Sequence, residues 1–260
     1  LIESFAISSP QEIDVEAVCI DLGLQVVYDR LESCGATLVG ADKLGLATVH
    51  ACGNRRRERF SAAHELGHWL LHRGRSYQCS MHDADVNLAK GKYAEVEADI
   101  FAMHFLMPER MFSSCLQQKS RPNFRQVKAL SRRFGATLAA TLLRMVEVST
   151  VPVIAASYHR NRLRWSVSSS SVPSSWRLKS VLSERTFTHG LIYDGKVCQE
   201  LEVSPAGAWF EDEESESYFV WEQCSAAAAG QAFVLLYPEP AMLESKTPRR
   251  SLTRSLACAR

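Results

Sequence analysis

The sequence predicts an α+β protein: a helical unit carrying a candidate metal site, a pair of helices, and a strand-rich unit. Three observations predict it. Residues 60–73 (FSAAHELGHWLLHR) and 93–107 (YAEVEADIFAMHFLM) place apolar residues at helical spacing, the second ending at Pro108. Residues 119–147 read as two further helices broken at Gly135, with Phe124, Val127, Leu130 and Phe134 on one stripe and Leu138, Leu142, Leu143 and Val146 on the next. Beyond Ser149 the pattern changes to short apolar runs punctuated by turn residues.

Before the first of these helices, Ile13 to Leu22 reads as a helix stopped at Gly23, followed by strands Leu24 to Tyr28 and Leu44 to His50 and a basic cluster from Asn54 to Arg59. In the C-terminal part, strands are expected over Val151 to Tyr158, Leu163 to Val167, Leu191 to Tyr193, Val197 to Val203, Tyr218 to Trp221 and Ala232 to Tyr237. Hairpin turns are expected at Arg160-Asn161 and Asp194-Gly195. A serine-rich break (Ser168 to Ser175), an acidic run (Glu211 to Glu216) read as a solvated loop, and a mobile tail after Pro238 complete the layout. The expected boundaries are 1–118, 119–149 and 150–260.

Composition narrows the function classes. Apolar residues make up 46% and charged residues 23% of 260, which fits a packed globular chain and excludes a collagen-like, coiled-coil or wholly disordered one. Thirty basic against 29 acidic residues leave a formal charge of +1, so any electrostatic case for nucleic acid or membrane must be local. The eight cysteines are scattered without a C-x-x-C pair and read as free thiols. No apolar stretch nears the roughly 18 residues of a membrane span, and LIESFAISSP lacks the basic and apolar regions of a signal peptide. A cytoplasmic location with no membrane contact is the expectation, and the initial Leu1 suggests a fragment or processed form.

The chemistry lies in His64-Glu65-Leu66-Gly67-His68, an H-E-x-x-H motif inside a helix. Residues four apart stand about 40° apart on one face, so the two imidazoles can chelate one ion. Ala62, Leu66, Trp69 and Leu70 form the opposite, apolar face, which would turn His64, Glu65 and His68 toward a cleft wall. The competing reading is two core histidines with ordinary hydrogen bonds. A catalytic metal needs a third protein ligand and an open position. Glu95 is the choice, because Asp99 then sits one turn on, placed to accept the second ring N–H of a ligand histidine. Glu97 lies about 200° round the helix from Glu95 and points nearly the opposite way, and Ala98 and Ala102 would let the two helices approach closely. His72, one turn beyond His68, lies some 12 Å along the axis from His64, too far for the same ion, and suits a structural or substrate-contact role. His2Glu ligation favours zinc, with manganese compatible. The ion would acidify a water and polarise a carbonyl while Glu65 takes the water's proton and returns it to the leaving amine. Tyr93, His72, Tyr77 and His82 are candidates for the oxyanion donor.

Two blocks, RERFSAAHELGHWLLH (residues 57–72) and EVEADIFAMHFLMP (residues 95–108), resemble the ImmA/IrrE family of bacterial metallopeptidases, including Gly67 and the Leu106-Met107-Pro108 terminus. SRRFGATLAATLLRMVEV (residues 131–148) resembles the helical segment that follows the family's peptidase core, with Ala136-Thr137 in place of Val-Ser. The resemblance implies a zincin-like metallopeptidase domain with a helix-turn-helix-like hairpin. The strand-rich part suits the IrrE branch, regulators of radiation and desiccation response, whose C-terminal domain is GAF-like. It further implies a cytosolic endopeptidase that cleaves an XRE-type (DdrO-like) repressor and so induces a DNA-damage regulon. Its ligands would be His64, His68 and Glu95, and its acid/base Glu65.

Between Lys119 and Arg144 stand seven basic residues and no acidic one. Arg125, Lys128, Arg132 and Arg133 could therefore dock DNA, an acidic partner or a DNA-bound repressor, or simply form a solvated face. The alternative function is a DNA-binding transcriptional regulator acting without proteolysis. The helix from Leu138 has only Arg144 to offer a base and reads better as a packing helix. A GAF-like domain could sense a small-molecule signal; the competing reading is an interaction domain without ligand.

Overall fold

The computed structural model describes residues 1–32, 35–41, 43–72, 77–79, 93–116, 121–196, 200–227 and 230–246, apart from the side chains of residues 41, 77–79 and 246. Helix α1 (Val15–Asp21) is capped by the Asp14 side chain, which accepts from the Ala17 N–H, and the chain turns at Gly23, where φ is +81°. A Cβ at Gly23 would lie 2.3 Å from the Lys43 carbonyl oxygen, so only glycine fits both the backbone angle and the space.

The turn feeds β1 (Leu24–Asp29), which joins β2 (Ala36–Ala41), β3 (Leu44–His50) and β4 (Tyr77–Cys79) in the order β1-β3-β2-β4. β1 runs parallel to β3, and β2 runs antiparallel to both β3 and β4. α2 (Arg55–Leu71) lies on this sheet. The Trp69 ring sits where Cβ atoms at Gly40 and Gly45 would come within 2.6 and 2.9 Å of it, and its indole N–H donates to the Leu22 carbonyl at 2.9 Å. α2 starts five residues before the expected Phe60, because Asn54 caps it by accepting from the Arg57 N–H. The basic cluster is thus its first turn.

α3 (Tyr93–Leu106) packs along α2, and the short α4 (Glu109–Ser113) follows Pro108. α5 (Phe124–Phe134) and α6 (Leu138–Val148) form a hairpin through Gly135, a left-handed cap with φ +58°. The buried Arg144 of α6 donates to the Met107 carbonyl at 3.0 Å and to Glu147 at 2.8 Å, closing the C-terminal end of α3. Residues 139–146 of α6 are all buried, so this helix packs inside the fold and has no face for a DNA groove.

The C-terminal sheet is antiparallel: β5 (Ile154–His159), β6 (Arg162–Ser168), β7 (Glu202–Pro205), β8 (Phe219–Ala226) and β9 (Gln231–Pro238), in the order β6-β5-β9-β8-β7. Its faces follow the period of two. Ala155, Phe233, Leu235 and Tyr237 join the core of α1 to α6, whereas Ile154, Ala156, Val234 and Leu236 pack with Leu178, Trp209 and Phe210. The Phe124 N–H at the start of α5 donates to Gln223 of β8 at 2.8 Å, and the Tyr237 hydroxyl donates to the Pro122 carbonyl. One hydrophobic core therefore runs across residue 150.

Three expectations for this region are corrected. Leu191 to Tyr193 lies in α7 (Phe187–Asp194), not in a strand: Thr186 caps it by accepting from the His189 N–H, and Gly195 at φ +67° ends it, so Asp194-Gly195 is a helix stop, not a hairpin. The segment after Pro238 first forms α8 (Pro240–Lys246). The acidic run is solvent-exposed apart from Ser215, and its residues 213–217 form a short 3-10 turn. Cys19, Cys52 and Cys115 are free thiols, and among the described residues no helix is long and apolar enough to cross a membrane.

The second core contains an ionisable group. Glu222 of β8 is fully buried and accepts from the Thr188 N–H and hydroxyl at 2.7 Å and from the Trp209 indole at 3.2 Å. Burial nevertheless pushes its carboxyl above the ordinary value of 4.5. A raised folded-state pKa contributes stability that is present at low pH and lost as pH rises through that pKa. Wild type should therefore lose urea stability relative to Glu222→Gln between about pH 4 and about pH 8. Glu222→Leu, which takes the acceptor from the Thr188 N–H and leaves the Trp209 indole only its Ser204 bond, should cost roughly 2–4 kcal/mol at either pH.

Candidate metal centre

His64 and His68 come from α2 and Glu95 from the first turn of α3, and the crossing of the two helices brings them together. That crossing is tight at Gly67. A Cβ there would lie 3.0 Å from the Phe101 ring and 3.1 and 3.3 Å from the backbone of Ala98, so glycine opposite alanine sets the helix separation. The expected role of Ala98 is thereby given a partner. α2 itself is enclosed on all sides from Ala62 to Trp69, not on one face only. His68 and Glu65 are wholly buried, while the Glu95 side chain keeps 25% exposure and so marks the solvent side of the site.

The donor atoms converge. His64 Nε2 lies 3.0 Å from His68 Nε2 and 3.4 Å from Glu95 Oε2, and His68 Nε2 lies 3.5 Å from Glu95 Oε1. Metal–ligand bonds of about 2.0–2.1 Å put the corners of a tetrahedron about 3.3 Å apart, so these separations match three corners around one ion. The proton positions agree. Asp99 Oδ1 lies 2.8 Å from His64 Nδ1 and, being a carboxylate, accepts that N–H, which leaves the His64 Nε2 lone pair facing inward. Burial pushes the His68 imidazole below its ordinary pKa of 6.5, toward the neutral form a ligand needs. Lone pairs and one negative charge pointed at a common centre repel one another unless a cation lies among them, so this donor set fits a divalent metal.

The other candidates are placed as follows. His72 caps the C-terminus of α2 and turns back over His68, Nδ1 to Nδ1 at 3.1 Å, while its Nε2 lies 2.9 Å from Glu97 Oε2. Both ring nitrogens are thus engaged within the fold, which removes His72 as an oxyanion donor. Glu97 is corrected from a glutamate pointing away to one that reaches across to the last turn of α2. Tyr93 begins α3 and is 83% exposed. The Tyr77 side chain and His82 lie outside the described residues. Arg125, Lys128, Arg132 and Arg133 are exposed on α5, away from the buried α6.

Residues 19–146 match the peptidase family M78, described as the IrrE N-terminal-like domain. The matched stretch is similar to that domain. It runs from within α1 to within α6, and so includes the α5–α6 hairpin as well as the three donor residues. The radiation response metalloprotease IrrE of Deinococcus radiodurans is 28% identical over 106 residues, covering 41% of this chain and 32% of that protein. The match thus spans about a third of the relative's length. Together these support the ImmA/IrrE family. A Mycobacterium tuberculosis transcriptional regulator of known structure shares the fold across 91% of this chain and 73% of its own, with a TM-score of 0.56 and 15% identity.

Gly67→Ala gains up to about 1 kcal/mol of helix propensity but pushes against the Ala98 backbone at a cost of roughly 1–3 kcal/mol. The expected outcome is a net loss of about 1–2 kcal/mol in urea unfolding, with weaker zinc binding as Glu95 is displaced. Unchanged zinc affinity would show that the helix crossing does not set the donor spacing.

Proposed function

We propose that this protein is a metal-dependent endopeptidase, loaded with zinc or, secondarily, manganese, that cleaves an XRE-type (DdrO-like) helix-turn-helix repressor and thereby induces a radiation and DNA-damage response. The observation that carries the reading is the convergence of His64 Nε2, His68 Nε2 and the Glu95 carboxylate. The IrrE N-terminal-like match and the D. radiodurans relative, itself named a radiation response metalloprotease, support it. A repressor substrate puts the reaction in the cytoplasm.

His64, His68 and Glu95 would hold the ion, with Asp99 orienting His64. Bound there, the metal would supply Lewis acidity toward a water and a peptide carbonyl. Glu65, next in sequence to His64 and buried, accepts the water's proton as the peptide bond is attacked and delivers it to the departing amine nitrogen. Burial keeps bulk solvent from competing for that proton. Tyr93, at the exposed end of α3, is the candidate contact for substrate or oxyanion.

A second reading assigns DNA or partner docking to Arg125, Lys128, Arg132 and Arg133. The supporting observation is a groove of about 930 Å3 lined by Arg132 and Arg133 of α5 and Arg55 and Arg56 of α2, with Asp14, Glu16 and Glu58 also on its wall. Because α6 is buried, the basic surface belongs to α5 and the start of α2, which favours docking of a repressor over base reading by a recognition helix. For the C-terminal unit, read as GAF-like, a small-molecule signal is the proposed input. A cavity of about 310 Å3 between Trp176, Arg177, Phe210 and Met242 is the place to look for it.

Incubation with zinc or manganese and a purified XRE-type repressor, followed by mass spectrometry, should yield two defined fragments. Glu65→Gln should lower the rate by roughly 10²–10⁴-fold while still binding metal, and unimpaired cleavage would remove the enzyme reading. Glu95→Gln should weaken zinc binding far more than Glu97→Gln; the reverse order would move the third ligand to Glu97. Arg132→Glu with Arg133→Glu should slow repressor cleavage without altering hydrolysis of a short peptide. If repressor processing is spared while the cellular response is lost, direct DNA binding takes precedence.

A further inference from the structure

We infer that His72 and Glu97 are a positioning pair that fixes the proton of His68 on Nδ1 and so presents its Nε2 lone pair to the metal. The inference rests on the metal-site reading above. Each step follows from which atoms can donate. The Glu97 carboxylate is an acceptor, so at 2.9 Å from His72 Nε2 it takes that N–H. A neutral imidazole with its proton on Nε2 carries a lone pair on Nδ1. His72 Nδ1 lies 3.1 Å from His68 Nδ1, and a hydrogen bond across that gap needs the proton to come from His68. His68 is then bare at Nε2, the atom 3.0 Å from His64 Nε2 and 3.5 Å from Glu95.

The two ligand histidines are thus served by different devices. Asp99 on α3 holds His64 directly, whereas Glu97 on the same helix reaches His68 through a second imidazole. The spacing explains the difference. His72 is one turn beyond His68 and ends α2 with φ −128° and ψ 35°, and its side chain folds back over the preceding turn. The side chains of His68 and His72 are 0% and 9% exposed, so water has little room to replace the imidazole between His68 and the carboxylate. Glu97 is 43% exposed, which makes the outer end of the relay open to substitution without burying anything new.

The test uses the full-length, metal-free protein labelled at histidine, with tautomers read from long-range proton–nitrogen NMR and Zn2+ affinity measured by chelator competition. Wild type should carry the His68 proton on Nδ1. His72→Phe, which keeps the ring and loses the acceptor, should populate the Nε2–H form of His68 and weaken Zn2+ binding by roughly 10–100-fold, leaving His64 and its Asp99 bond unchanged. Glu97→Leu should give the same changes in smaller measure. His72→Gln, whose side-chain oxygen can accept from His68, should recover most of the affinity. A purely structural role would move His64 along with His68 and would not be rescued by glutamine, and that result overturns the proposal. So does an unchanged His68 tautomer and Zn2+ affinity in His72→Phe. Failure of wild type itself to bind Zn2+ would instead overturn the metal-site reading, and this proposal with it.

Discussion

The approach of α2 to α3 at Gly67 and Ala98 is the constraint on which the site depends. Two histidines on one helix can be brought to 3.0 Å by local geometry alone, but the carboxylate that completes the set comes from another helix. Its distance is fixed by how closely two backbones can pass. With no side chain at Gly67, the Ala98 backbone comes within reach, and Glu95, three residues earlier, falls 3.4 and 3.5 Å from the two imidazoles. The surrounding structure maintains this crossing. Trp69 seats α2 on the first sheet, Arg144 ties α6 to the end of α3, and the hairpin of α5 and α6 is held by the C-terminal sheet through Gln223 and Tyr237.

The electrostatics follow from the same crossing. Three electron-rich atoms facing one another are unfavourable unless a cation lies between them, and the neighbouring polar groups keep them in that state. Asp99 draws the His64 proton to the far side of the ring, and desolvation disfavours the charged form of His68. The fold thus holds an arrangement that is costly by itself and becomes favourable on binding a metal.

The parts legible in the sequence were those governed by short-range geometry. His64 and His68 fall on one face because they are four apart, and Glu95 with Asp99 follows by the same rule on α3. Glu97 was misjudged for a physical reason: helical angle tells where a side chain leaves its own helix, not that the last turn of a neighbour will come to meet it. Elements decided by tertiary pairing were harder. Ala36–Ala41 forms β2 although its alanines and glycine are weak strand formers, because β3 pairs with it and Gly40 makes room for Trp69. Residues 191–193 are too short an apolar run for periodicity to separate helix from strand, and Thr186 with Gly195 decided it. The core shared across residue 150 depends on which face of β5 and β9 turns toward α6, which a strand pattern cannot specify.

Diffraction from crystals grown with zinc, collected at the zinc absorption edge, tests the central claim most directly. The account predicts one anomalous peak about 2.0–2.2 Å from Nε2 of His64, Nε2 of His68 and a carboxylate oxygen of Glu95, with a further coordination position open to solvent. A peak bound elsewhere, or those three side chains turned apart around an empty centre, would contradict it.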